Sequence, residues 1–322
     1  MQHHLNSAVW LVGTGYMGKE YAKVLRAQGV PFAAICRSSR SAEVFEQETG
    51  APALSGGLEA AYAALPVPET AIVAVNTYFL CETTADLIAH GVRRILLEKP
   101  AGLDFDEIHR LRQLAEAAGA EVFVAYNRRF YASVRKAREL AAEDGGVTSY
   151  FFEFTEWAHQ IEGLDKPAIE KENWFLANST HVVDLAFFLG GAPRELSSYT
   201  SGSLSWYSKA SAFAGAGVST TGAVFSYRAN WESAGRWSVE LQTTRRRLIL
   251  CPLEGLKEQL RGSLAVTEVA LDDALDRDFK PGLYLQTEAF LSGRTEDLLS
   301  LREHDAHCAV YRRMEQPSAQ PL

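Results

Sequence analysis

Cysteine is scarce in this chain. The four residues Cys36, Cys81, Cys251 and Cys308 are scattered, with no CxxC pair among them. They read as reduced thiols of a cytoplasmic protein rather than as a disulfide framework. Long apolar runs are missing too. No run approaches the roughly 18 residues that a membrane span needs, and the opening MQHHLNS lacks the apolar stretch of a signal peptide. Positive charge is in deficit. The 32 Lys and Arg against 40 Asp and Glu give a net charge of −8. That argues against a nucleic-acid or anionic-membrane surface, because either needs a basic face. Internal repeats and low-complexity segments are absent. HDAHC (304–308) resembles a metal fragment, but no further ligands stand near it in sequence. It reads as the surface of a late helix, and no metal is expected.

What is present is an ordinary globular composition, 47% apolar and 22% charged. A chain of 322 residues exceeds what one core usually holds, so two domains are expected. Up to residue 125, short apolar runs alternate with helical patterns. The strands are 8–13, 31–37, 70–76, 93–100 and 121–127; the helices are 16–29, 41–49, 80–90 and 104–118. Runs apolar on both faces and interleaved with helices predict a doubly wound parallel sheet of Rossmann type. Beyond it the pattern changes. A helix (130–143), a long strand in VTSYFFEFTEWA, a helix (175–189) and strand-like runs at 194–201, 217–229, 235–244 and 246–251 follow. Helices in KPGLYLQTEAFLSG and at 297–315 close the chain. Hairpins predominate, which predicts an α+β domain with a large, mostly antiparallel open sheet. The expected boundaries are a dinucleotide-binding domain 1–125, a substrate-binding and oligomerisation domain 126–316 and a loose tail 317–322.

Gly13, Gly15 and Gly18 stand in GxGxxG spacing within VGTGYMG. The pattern alone also fits a plain tight turn. Here a strand precedes it and a helix follows, the context in which it binds a dinucleotide. Gly13 permits the sharp turn, Gly15 a close approach of backbone to the pyrophosphate, and Gly18 close helix–strand packing. The anion would rest on the helix N-terminus, against Thr14, Tyr16 and Met17. NAD enzymes usually carry an acid at the end of the second strand, about 20 residues beyond the loop. ICRSSRS has none. Arg37, Ser38 and Arg40 offer cationic and hydroxyl donors for a 2′-phosphate, and Arg37 could stack on adenine. NADP(H) is therefore favoured over NAD(H), with Val75, Asn76, Glu98 and Lys99 as further cofactor contacts.

Glu98-Lys99-Pro100 ends the strand 93–100. In open α/β sheets the carboxyl ends of strands face the ligand crevice. A lysine there is partly desolvated, can exchange a proton and can hold a substrate oxygen; on its own it would read as a snorkelling surface residue. His181 and Asp184 lie three residues apart in an apolar helix, on one face. In isolation they read as a satisfied core pair.

Glu98-Lys99-Pro100, the segment Tyr126-Asn127-Arg128-Arg129-Phe130 and a later His-x-x-Asp helix, behind a glycine loop, resemble the Gfo/Idh/MocA oxidoreductases over nearly the whole chain. DDALDRDFKPGLYLQTEAF is similar to members encoded for cell-surface polysaccharide synthesis. The resemblance implies a catalytic Lys99, often with a cis bond into Pro100, and a substrate wall carrying His181 and Asp184. It implies hydride exchange between nicotinamide C4 and a ring carbon of a sugar, polyol or nucleotide sugar. His181 would handle the hydroxyl proton. Members like inositol dehydrogenase carry an Asp four residues before the His; here that position is Ala177, beside Asn178 and Ser179. The strand loop that usually reads Thr-Pro-Asn is Val75-Asn76-Thr77. Both departures shift weight toward Lys99.

Tyr126, Arg128 and Asn178 complete the expected substrate contacts, with Arg128 or Arg129 gripping a phosphate or carboxylate. Glu153, Glu156, Trp157 and His159 lie on or just after the first strand of the second domain. Trp157 could stack on a sugar, although a sheet aromatic is more often core. TTRRR (243–247) reads as a hairpin turn with a solvated charge cluster. Two other functions share these features: a non-catalytic dinucleotide-bound sensor, favoured by Ala177, and a cofactor-assisted glycosidase, which would release sugar without net cofactor turnover. An uncovered sheet face predicts a homodimer or homotetramer.

Overall fold

The computed structural model describes residues 9–316; residues 1–8, with the first residue of the expected strand 8–13, and the tail 317–322 lie outside the described residues. Four-residue runs such as VWLV, TAIV and RILL build the first sheet. Its strands in chain order are β1 (Val9–Val12), β2 (Phe32–Ile35), β3 (Ala53–Leu54), β4 (Thr70–Val73), β5 (Arg94–Leu97) and β6 (Glu121–Val124). All pair in parallel, in the order β6-β5-β4-β1-β2-β3. All four residues of β1 are buried, as a sheet covered on both faces requires. The chain winds outward one way from β1 and the other way from β4, so the topological switch lies between these two strands. Val12 pairs Val73 and Val73 pairs Leu97. Gly13, Ala74 and Glu98 therefore leave the sheet side by side.

The chain divides into two compact units, and the division corrects the expected boundary. Among the described residues, the first unit holds those up to Asn127 and also Leu275–Asp305; the second holds Arg128–Ala274 and those from Ala306 on. Pairing explains the return. Leu299–Ser300 adds an antiparallel strand beside β6. Asn127 Nδ2 donates to Pro281 O at 2.8 Å, and Arg94 Nη2 donates to Phe290 O at 2.8 Å. The expected helical surface at HDAHC is also corrected. His304 is fully buried, with Nε2 2.9 Å from Pro100 O, and Cys308 is buried.

The second unit is built on β7 (Ser149–Glu153), β8 (Pro193–Ser201), β9 (Ala212–Ser219), β10 (Val224–Asn230), β11 (Ser238–Gln242), β12 (Arg246–Leu250), β13 (Lys257–Leu260) and β14 (Thr267–Glu268). Their order is β14-β13-β12-β11-β7-β10-β9-β8. Only β7 and β10 pair in parallel. Period-two alternation sends Phe225, Tyr227 and Ala229 inward and Val224, Ser226 and Arg228 outward. On the inner face Tyr150 stacks on Phe225 at 5.0 Å and Phe152 on Tyr227 at 5.3 Å, and Phe187 of the helix Thr180–Gly190 closes over Phe152 at 6.0 Å.

Several expected elements differ. The run 217–229 is two strands, β9 and β10, because Gly222 at φ +88° lets the chain reverse between them. The long strand expected from VTSYFFEFTEWA ends at Glu153, and a short helix starts at Ala158. TTRRR is the turn between β11 and β12, but Arg246 is not solvated. It donates from Nε to Asp144 Oδ2 at 2.8 Å and from Nη1 to Glu258 at 3.0 Å.

Candidate functional site

In the first unit the glycine loop sits at the topological switch. A Cβ on Gly13 would come within 2.3 Å of Ala74 O, and one on Gly18 within 2.0 Å of Gly13 O. These two glycines are therefore required by packing alone. Gly15 differs: a Cβ there meets nothing within 4 Å. It opens the helix Tyr16–Ala27, whose first turn has no acid and whose N-cap has no side-chain hydrogen bond. Free N–H groups, a favourable dipole and open space above Gly15 suit a diphosphate. Thr14 is buried, Met17 half-buried, and Tyr16 exposed, with Lys280 Nζ 5.1 Å from its ring.

At the end of β2, Arg37 and Arg40 are exposed. Arg37 stacks one face of its guanidinium on Phe79, 4.3 Å from the ring centroid. Phe79 was not foreseen, because its helical turn follows β4 and not β2. Ser38 caps the helix Ser39–Thr49, its Oγ accepting from Ser41 N at 3.2 Å. Asn76 Oδ1 accepts from Tyr78 N at 3.1 Å and Val75 is half-buried. Past β5, Lys99 is half-buried and joins Pro100 through a cis bond.

Three expected site side chains are turned inward. Glu98 is buried and accepts from the Tyr21 phenol at 2.9 Å. Burial raises its carboxyl above the usual range, against the opposing charge of Lys99. Tyr126 is 1% exposed, its ring 5.5 Å from His304. Asp184 is 1% exposed and both its oxygens are taken: Arg129 Nε donates at 2.8 Å and Nη2 at 2.6 Å. Asp184 thus neutralises the buried Arg129, which also lies over Phe188. Of the two expected arginines, Arg129 is the one that pairs with Asp184.

The polar groups of the second unit gather around Trp237. The Arg128 guanidinium lies 4.8 Å from its ring and that of Arg236 4.7 Å, while the His181 ring centroid is 6.0 Å away. His181 is buried, on the helix Thr180–Gly190. That helix is entered through a wider π-helical turn, Phe175–Ser179, which re-aims Asn178 and Ser179. Asn178 Nδ2 donates to the Glu156 carboxylate at 3.0 and 3.1 Å, and Ser179 Oγ donates at 2.8 Å. Glu156 therefore brings a carboxyl to the segment where Ala177 supplies none. It is 2% exposed, and burial pushes it up to about 7 against those hydrogen bonds. Sequence reading named Glu156 without choosing it, because a continuous strand through 147–158 left its direction open. Arg236 and Trp237 carried no signal beyond an alternating strand. Beside them Trp157, 42% exposed, lines a cavity of about 430 Å³ with His159, Trp206 and Trp231.

Residues 8–126 match the family model described as the oxidoreductase family with an NAD-binding Rossmann fold. No curated protein sequence matches the chain. Similar solved structures span nearly its whole length. An NAD-binding oxidoreductase from Klebsiella pneumoniae is 16% identical with TM-score 0.78, covering 97% of this chain and 96% of that one. A UDP-N-acetylglucosamine 3-dehydrogenase from Acidithiobacillus ferrooxidans is 16% identical with TM-score 0.72, covering 95% and 96%. A levoglucosan dehydrogenase solved with NADH and L-sorbose is 16% identical with TM-score 0.75, covering 96% of each chain. Residues 8–126 thus match the Gfo/Idh/MocA oxidoreductase family model with its NAD-binding Rossmann fold, and nearly the whole chain shares the fold of these solved oxidoreductases.

Proposed function

We propose that this protein is an NAD(P)-dependent oxidoreductase acting on a CH–OH group of a sugar, polyol or nucleotide sugar. The observation that carries the reading is the open, uncapped helix N-terminus at Gly15, aligned at the sheet edge with the strand end that bears Lys99. The bound dinucleotide supplies the hydride acceptor or donor at nicotinamide C4. In the oxidising direction the carbon loses a hydride, its hydroxyl loses a proton to a side chain, and a carbonyl forms. Lys99, half-buried at its strand end, is the group assigned to hold the substrate oxygen and take that proton. His181, Arg128 and Asn178 are assigned to substrate binding, and the buried Glu156 to bracing the Asn178 segment.

NADP(H) is the preferred cofactor in this reading. Arg37, held in place by Phe79, and the neighbouring Arg40 offer positive charge where an acid would otherwise grip a ribose diol. The neighbours named for a UDP-sugar and for levoglucosan support a carbohydrate substrate. The test is turnover against a panel of sugars and nucleotide sugars with NADP+ and NAD+. Lys99→Met should keep cofactor binding, read by NADPH fluorescence, and abolish turnover. Unchanged turnover in Lys99→Met removes Lys99 from the chemistry, and tighter binding of NADH than NADPH removes the arginine argument.

A further inference from the structure

The cluster around Trp237 has more positive charge and more hydrogen-bond donors than its own residues satisfy. Arg128 and Arg236 both lie against the indole. Arg236 also lies 4.8 Å from the Trp157 ring, and its side chain is 48% exposed. The carboxylate nearest to Arg236 is Glu156, at 3.9 Å, already accepting from Asn178 and Ser179. Arg128 Nε and the Trp237 indole Nε1 are buried, and neither finds an acceptor among the described residues. Glu156 and Glu254 also favour the charge on Arg128, but Glu254 is exposed at the surface and Glu156 is already engaged by Asn178 and Ser179. Buried donors are almost always paired in native proteins, and a buried guanidinium left without an anion is costly. His181, 6.0 Å from the same indole, adds a third nitrogen heterocycle and no negative charge.

We propose that the substrate carries an anionic group, a carboxylate or a phosphoryl group, which Arg128 and Arg236 bind against Trp237. Arg236 meets the anion from solvent, and Arg128 with the indole N–H supplies the buried donors. A planar guanidinium fits either group through paired N–H···O bonds. The Trp157 face beyond Arg236 gives the apolar side of a sugar ring a surface to lie on. The proposal rests on the oxidoreductase reading only for the word substrate; the anion site stands on the second unit alone.

The experiment measures binding and turnover separately on the full chain. Binding is read from tryptophan fluorescence with D-glucuronate, glucose 6-phosphate, glucose and inorganic phosphate; turnover is read from NADPH absorbance with the same sugars. An acidic sugar should bind roughly tenfold to a hundredfold more tightly than glucose, the range expected for one or two charge-assisted hydrogen bonds. Preference for glucuronate assigns a carboxylate, and preference for glucose 6-phosphate or competition by inorganic phosphate assigns a phosphoryl group. Arg128→Gln and Arg236→Gln should each erase most of the preference. Because Arg128 is largely buried, its variant is read beside a thermal melt, and the exposed Arg236→Gln serves if it fails to fold. Glucose binding as tightly as both acidic sugars, or a preference that survives Arg236→Gln, overturns the site. Turnover of neutral sugars without acid preference would leave the oxidoreductase reading standing and remove this one. Tight acidic-sugar binding with no hydride transfer would do the reverse.

Discussion

Replacing Asp184 with Leu distinguishes a structural role for this carboxylate from a catalytic one. Its oxygens accept from Arg129 at 2.8 and 2.6 Å, and the two side chains are 1% and 7% exposed. Removing the carboxylate takes from the buried Arg129 guanidinium, which lies over Phe188, the acceptor of these two hydrogen bonds. Breaking one side of a buried pair costs about 3–5 kcal/mol, mainly through the charge left behind. At about 2–4 °C per kcal/mol for a unit of this size, the melting midpoint of the second unit should fall by about 6–20 °C. The double variant Arg129→Leu/Asp184→Leu removes both charges and should recover most of that loss, since apolar replacement of a buried pair is often close to neutral. Thermal melts followed by circular dichroism, on the two single variants and the double, complete the cycle. A fall below about 2 °C in Asp184→Leu, or a double variant as unstable as the sum of the singles, would refute the structural assignment.

Glu156 makes stability depend on pH. Burial holds its carboxyl at about 7, so above the ordinary 4.5 the unfolded chain releases a proton that the folded chain keeps. Stability should therefore fall as pH rises from about 4.5 to about 7, by about 3 kcal/mol, and level off above that. Glu156→Gln should flatten the profile of melting midpoint against pH; an unchanged slope would mean that another group sets it. Gly15→Ala and Gly18→Ala should separate cofactor binding from folding. The first has open space around its Cβ and should melt like the parent yet bind NADPH more weakly; the second meets Gly13 O and should lose both. NADPH affinity equal to the parent's in Gly15→Ala would mean that the phosphates do not approach this residue. The outward face of the second sheet, with Tyr199 at 69% and Val224 at 57% exposure, is the surface assigned to pair with another copy. Sedimentation at micromolar concentration should return a multiple of 35.5 kDa, and a monomer mass would remove that assignment.

The sequence by itself determined the parallel sheet, the glycine loop at its start and the basic segment after β2. Each is local: a run of four apolar residues, a spacing of three glycines, a missing acid. It also determined that Lys99 follows the end of a strand, because the apolar run stops at Leu97. Only the tertiary structure decided which polar side chains are available. The spacing of His181 and Asp184 puts them on one helix face, yet the partner of Asp184 is Arg129, 55 residues earlier. The carboxyl beside Asn178 comes from Glu156, 22 residues earlier, because its strand stops at Glu153. Arg128 and Arg236 meet one indole from 108 residues apart. Buried charges take partners wherever the fold puts them within hydrogen-bond reach, since leaving one unpaired costs several kcal/mol. No local pattern encodes that choice.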